Sequence, residues 1–153
     1  MSVDIVEKAL AIARSKLGMK EQGQNRGSIV EWAMRPWSKA QVGAWAEWCA
    51  AFACTCYYEA GSIRIRRIAS TNVPRLWKNC VDAGIAWEAP SDGSLWSAQP
   101  GDLIFFTGLG HVGIVEHVDQ NVVFTLEGNH GDAVSQDVHK RGSSNVFGFA
   151  RIE

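Results

Sequence analysis

In Glu47-Trp48-Cys49-Ala50-Ala51-Phe52-Ala53-Cys54-Thr55-Cys56-Tyr57-Tyr58-Glu59-Ala60-Gly61, a cysteine opens a run whose apolar residues recur at helical spacing. From Trp48 to Ala60 a helix places Cys49, Phe52, Ala53, Cys56 and Tyr57 on one stripe, and Gly61 suits its end. Cys49 then stands in the first turn, where unpaired amides and the positive end of the helix dipole favour a thiolate. A thiolate is a strong nucleophile, but a cysteine in this place is also ordinary filler of a buried helix. A base elsewhere in the chain has to separate the two.

Outward from this helix, the first half of the chain reads as further helices. Ile5, Val6, Ala9, Leu10, Ala13 and Leu17 form the stripe of a helix capped by Ser2 and stopped by Gly18. A polar loop from Lys20 to Gly27, whose Gln22 is one candidate for contact with a substrate, leads to a short helix capped by Ser28 and ended by Pro36. On the other side, Ser62 to Ile68 sets Ile63, Ile65 and Ile68 against Arg64, Arg66 and Arg67, the pattern of a short edge strand with its charges outward. Thr71 or Asn72 caps one more helix, with Pro74 in its first turn, Leu76, Trp77, Cys80 and Val81 inward, and Gly84 at its end. From Ile85 onward strands and turns take over. Helices followed by sheet predict an α+β domain.

The strand half supplies the base. Gln99-Pro100-Gly101-Asp102 is a turn leading into Leu103-Ile104-Phe105-Phe106-Thr107, and His111 to Val118 pairs with Val122 to Asn129 as a hairpin. A three-residue loop, Asp119 to Asn121, pairs Val118 with Val122, Val115 with Thr125, Gly113 with Glu127 and His111 with Asn129. In that register Val112, Ile114, Val118, Val122, Phe124 and Leu126 make one apolar face, whereas a two-residue loop mixes the faces, so burial favours the odd loop. The opposite face then gathers His111, Glu127 and Asn129, with Gly113 leaving room in front of Glu127. An imidazole to exchange a proton and a carboxylate or amide to hold the ring are what a nucleophilic cysteine needs. His117 falls on the same face, His130 in a loop and His139 in a polar stretch; none has zinc-ligand spacing, and no metal or cofactor is expected.

Composition narrows the class. The 153 residues fit one domain, with a helical half over 1–61 and a sheet half over 85–153. With 15 basic and 16 acidic residues the net charge is −1, which provides no field for nucleic acid or anionic lipid. No stretch is apolar and long enough to span a membrane or to serve as a secretory signal. The four cysteines, Cys49, Cys54, Cys56 and Cys80, lack paired zinc spacing, and three crowd one helix, so free thiols of a reducing cytoplasm are expected.

Trp48-Cys49, Pro100-Gly101-Asp102-Leu103-Ile104-Phe105-Phe106, His111-Val112-Gly113-Ile114-Val115 and Glu127-Gly128-Asn129 occur in this order. In this the chain resembles the CHAP family of cysteine, histidine-dependent amidohydrolases and peptidases, relatives of the NlpC-like hydrolases and of papain. The resemblance runs from about Gln22 to the end and includes Gly131 to Val134 and a closing strand, Val146 to Arg151. It implies a papain-like core with the nucleophile's helix packed on a small antiparallel sheet, and cleavage of an amide bond in peptidoglycan by a monomer. Carried over by residue, Cys49 is the nucleophile, His111 the base, Glu127 the group orienting the imidazole, and Asn129 a further polar residue of the active site. Trp48 would wall the substrate groove. Gln22 would assist the Cys49 amide at the oxyanion. No D-x-D-x-D-G calcium loop and no wall-binding repeat is present. A protein made in the cytoplasm without a leader would reach the wall after release or export, as a phage lysin or else as an injected effector. A silent wall-binding module and a thiol acyltransferase are the alternatives on the same fold.

Overall fold

The computed structural model describes residues 2–37, 47–94 and 96–153. Trp45, which the sequence alone assigns to the core or its rim, lies outside them. Helices α1 (Ser2–Ser15), α2 (Ser28–Met34), α3 (Cys49–Glu59), α4 (Ile63–Ile68) and α5 (Val73–Asp82) come first. Six strands follow: β1 (Ala86–Glu88), β2 (Leu103–Phe106), β3 (Val112–Val118), β4 (Val122–His130), β5 (Ala133–Lys140) and β6 (Val146–Ala150). They form one antiparallel sheet in the order β1-β6-β2-β3-β4-β5. The α+β class and the helix-on-sheet layering expected from the sequence are those of the molecule.

Helix α3 is the centre of the core. Every residue from Cys49 to Tyr57 is buried, so the expected stripe is a helix enclosed on all sides. Enclosure on all sides is what a helix apolar around its whole circumference requires. It packs on α1 and α2 at one side and on β3 and β4 at the other. Cys54, Cys56 and Cys80 are free and buried in this core, and burial pushes the thiols of Cys54 and Cys80 up to about 12. The Pro100-Gly101 turn is tied down at Asp102, which is 2% exposed and accepts from both Nε and Nη2 of Arg151 at 2.9 Å. Tyr57 Oη donates to the Gly101 carbonyl at 2.5 Å, joining the same turn to α3.

Three local expectations are corrected. Ser62 to Ile68 is not an edge strand: Ser62 caps α4 by accepting from the Ile65 amide at 3.2 Å, and Ile65 and Ile68, one turn apart, are both buried. Alternating Ile and Arg over so few residues satisfies either period, and the cap decides. Helix α2 has Gly27 at its N-cap, without a side-chain bond, and Ser28 lies inside it.

The third correction concerns the hairpin. Ile114↔Leu126 and Val115↔Thr125 pair as the three-residue loop requires, but Glu116 is an extra residue, after which His117 pairs with Phe124 and Val118 with Val123. The bulge is held by Arg14 Nε and Gln136 Nε2, both of which donate to the Glu116 carboxylate. One added residue moves the rest of a strand to the opposite face. His117 therefore leaves the face of His111 and lies exposed against the Phe124 ring, 5.7 Å between centroids. Val118 joins Val115 and Val123 in a second apolar cluster around Ile104, Val146 and Phe149.

Candidate active site

Cys49 is the first residue of α3, and the cap residue, Trp48, offers no side-chain hydrogen bond to the first turn. First-turn amides without such a cap suit an anion. His111 immediately precedes β3, and the Cys49 side chain is among the groups that raise its pKa. Its Nε2 meets Glu127 Oε1 at 2.8 Å. With Nε2 committed to the carboxylate, Nδ1 is the ring nitrogen left for the sulfur. Glu127 is 1% exposed, and Gly113 beside it leaves the space its side chain fills: a Cβ on Gly113 would lie 2.7 Å from Glu127 Cγ.

The electrostatics follow from these bonds. Burial alone would strip the proton from His111, but interactions with the Cys49 side chain and with the Glu127 carboxylate outweigh it, and its pKa is pushed up to about 10. Burial likewise favours neutral Glu127, yet donors from His111, His139 and Thr125 hold the carboxyl well below the usual carboxylate range. The raised pKa favours an imidazolium at neutral pH, held on one side by the Glu127 carboxylate.

Four residues around Glu127 stand outside the sequence reading of the site. Thr125 Oγ1 donates to Glu127 Oε2 at 2.5 Å, and His139 Nε2 meets the same oxygen at 2.8 Å. His130 Nε2 lies 3.2 Å from Asp137 Oδ2, and its Nδ1 lies 3.7 Å from Glu127 Oε1. Strand alternation on β4 gives Thr125 away, two residues before Glu127. His139 and Asp137 carry no such signal, because only the β4–β5 pairing, with Thr125 opposite Asp137, brings them near. The cluster also offers metal-type ligands that linear spacing does not reveal. One ligand atom from each of His111, Glu127 and His130, and likewise from Glu127, Asp137 and His139, falls within 4.8 Å of the others. No ion is needed to explain these approaches, since hydrogen bonds and ion pairs account for each.

The remaining candidates are placed differently from expectation. Trp48 is fully buried, so it does not wall a groove; its Nε1 donates to Glu21 Oε2 at 3.3 Å. Gln22 is exposed, and its backbone amide donates to the Arg26 carbonyl at 2.7 Å. Asn129 does not pair with His111: it has φ 56°, at a shift in β4–β5 register between Glu127 and His130, and no side-chain hydrogen bond among the described residues. Cys49 is only 2% exposed, whereas the His111 side chain beside it is 24% exposed.

A family model described as CHAP domain matches residues 38–129. Among solved structures, one of Ly7917 with the hydrolyzing product of MDP superposes with a TM-score of 0.55 at 16% identity, covering 96% of this chain and 63% of that one. The peptidoglycan hydrolase RipB of Mycobacterium tuberculosis gives 0.54 at 16% identity, over 97% of this chain and 64% of RipB. The P60 domain of an antigen from M. avium subspecies paratuberculosis gives 0.55 at 17% identity, over 97% of this chain and 96% of that domain. The chain thus spans less than two thirds of the first two structures and nearly the whole of the third. At these identities the likeness is one of fold. No curated protein is significantly similar in sequence.

Proposed function

Since the chain belongs to the CHAP domain family, we propose that it is a peptidoglycan hydrolase that cuts an amide bond with Cys49 as nucleophile. The observation that carries this reading is the His111 imidazole held 2.8 Å from the buried Glu127 carboxylate, with Cys49, at the start of a helix, among the groups that raise its pKa. The substrate class is supported by the family and by the neighbours of like fold, one of them a peptidoglycan hydrolase and another solved with a product of MDP.

The chemistry follows from the charges. The Cys49 thiolate attacks the carbonyl carbon, and the electron pair of the carbonyl moves onto oxygen, where the uncapped amides of the first turn of α3 donate to it. On collapse the carbon–nitrogen bond breaks, and His111 gives its proton to the departing amine, leaving a thioester on Cys49. Neutral His111 then takes a proton from water as its oxygen attacks the thioester, and the acid product leaves with the sulfur restored. Glu127 keeps the ring in place through both halves and balances its positive charge.

Purified protein and Cys49→Ala, each incubated with sacculi and analysed by mass spectrometry and by labelling of new amino termini, test this. The native protein should release fragments with new amino termini, and Cys49→Ala should release none while retaining its fold. Equal release by the mutant sinks the nucleophile assignment, and binding without release, or transfer to an added amine, sinks hydrolysis.

A further inference from the structure

We infer that His139 is a positioning residue for Glu127, extending the series to Cys49, His111, Glu127 and His139; this rests on the thiol-hydrolase reading above. The starting point is the Glu127 carboxylate, 1% exposed and able only to accept. Oε1 is taken by His111, so whatever fixes Oε2 fixes the rotation of the whole group about its last bond. Two donors reach Oε2, Thr125 Oγ1 and His139 Nε2. They are not equivalent. A threonine hydroxyl has one proton on a free rotor, and Thr125 has a second acceptor nearby, the Asp137 carbonyl at 3.5 Å. The imidazole N–H points along a fixed direction in the ring plane.

That ring is itself held. His139 lies opposite Val123 in the β4–β5 pairing and reaches past Thr125 to Glu127, with its side chain 13% exposed. Phe106 lies 4.8 Å from the His139 ring centroid and 5.4 Å from that of His111, so one aromatic side chain packs against both imidazoles that grip the carboxylate. Asp137 Oδ2, 3.7 Å from His139 Nε2, and His130 beyond it are the other ionisable groups at this end. With Nε2–H aimed at Oε2, Oε1 has one orientation left, toward His111. Without it the carboxylate turns or takes up a proton, and either change weakens its hold on the imidazolium.

The test compares His139→Leu with His139→Gln, because the glutamine amide nitrogen reaches close to the position of Nε2 and leucine offers no donor. Two readouts are needed: kcat and KM on soluble muropeptides, and the titration of His111 followed by NMR with labelled histidine. His139→Leu should lower kcat by about tenfold or more with KM unchanged and bring the His111 midpoint down. His139→Gln should restore both. If the leucine variant does not fold, His139→Asn, whose amide is too short to reach Glu127, takes its place. A His111 midpoint unmoved in the donor-free variant overturns the inference, as does a glutamine variant no better than leucine. Should the native protein cut no muropeptide, the hydrolase reading fails, while the His111 titration still decides the role of His139.

Discussion

Gly113→Ala is the sharpest probe of the candidate site, because it adds one methyl group and removes no functional atom. The new Cβ would stand 2.7 Å from Glu127 Cγ, 3.5 Å from its Cδ and 3.3 Å from the Leu126 carbonyl oxygen. Carbon atoms in contact prefer about 3.5–4.0 Å, so Glu127 has to retreat by about 1 Å. Its bond to His111, 2.8 Å in the native protein, would stretch to about 3.8 Å and cease to be a hydrogen bond. A bond between charged groups is worth about 1.5–3 kcal/mol, which corresponds to roughly a tenfold to hundredfold loss in kcat. Overpacking separately costs about 1–3 kcal/mol, and at this length each kcal/mol moves Tm by about 2–4 °C. Melting by circular dichroism, muropeptide turnover at a temperature where the variant is folded, and the NMR titration of His111 together separate the two effects. His111 should titrate below its native value of about 10. Turnover within twofold of native with an unmoved His111 would refute the claim that Gly113 exists to admit Glu127.

The pH dependence has a definite sign. His111 is raised from 6.5 to about 10, so its contribution to stability is complete below about 6.5 and disappears as pH rises through about 10; turnover should lose its alkaline limb near the same value as the proton for the leaving amine is lost. Glu127 is depressed from 4.5, so its contribution is present above that value and is lost on acidification below it. A rate profile whose alkaline limb falls near pH 7 would contradict the imidazolium assignment. Arg151→Leu leaves buried Asp102 without its cation, and the melting curve should show a loss of about 2–3 kcal/mol while activity per folded molecule is kept; an unchanged Tm would deny Arg151 its role at the Pro100-Gly101 turn.

Much of the fold was legible because its strongest signals are local. The extent of α3, the cap of α5, which falls on Asn72 of the two candidates, and the Pro100-Gly101 turn each act over a few residues and are found where local signals put them. Segment 62–68 misleads because three isoleucines and three arginines satisfy two periods at once, and the deciding bond is a single serine cap. The hairpin register is right where burial is two-sided, at Ile114 and Val115, and shifts where Arg14 and Gln136 draw out Glu116. Both partners of Glu116 come from other elements, which hairpin patterning does not see. The same limit explains the site. Glu127 and His111 belong to one hairpin and can be placed on one face on paper, whereas His139 reaches Glu127 only through a third strand.

Why Cys49 on α3 comes near His111 at the start of β3 comes down to two missing side chains. Gly128 alternates with Glu127 on β4 and faces α3, where a Cβ would lie 2.6 Å from that of Phe52. Its absence lets the helix lie against the strand, and Phe52 is one turn beyond Cys49 on the same helical side. Close packing at Phe52 therefore sets how near Cys49 stands to the strand ends, where His111 enters the sheet. Gly113, one strand over, does the complementary work on the opposite face by admitting the Glu127 side chain behind the imidazole. The pair makes separable demands. Gly128→Ala should lift α3 away from β4 and weaken the Cys49 contact while the Glu127 to His111 bond survives, whereas Gly113→Ala should do the reverse. The distance from sulfur to ring and the distance from ring to carboxylate are thus set independently, each by a backbone position with no side chain to spare.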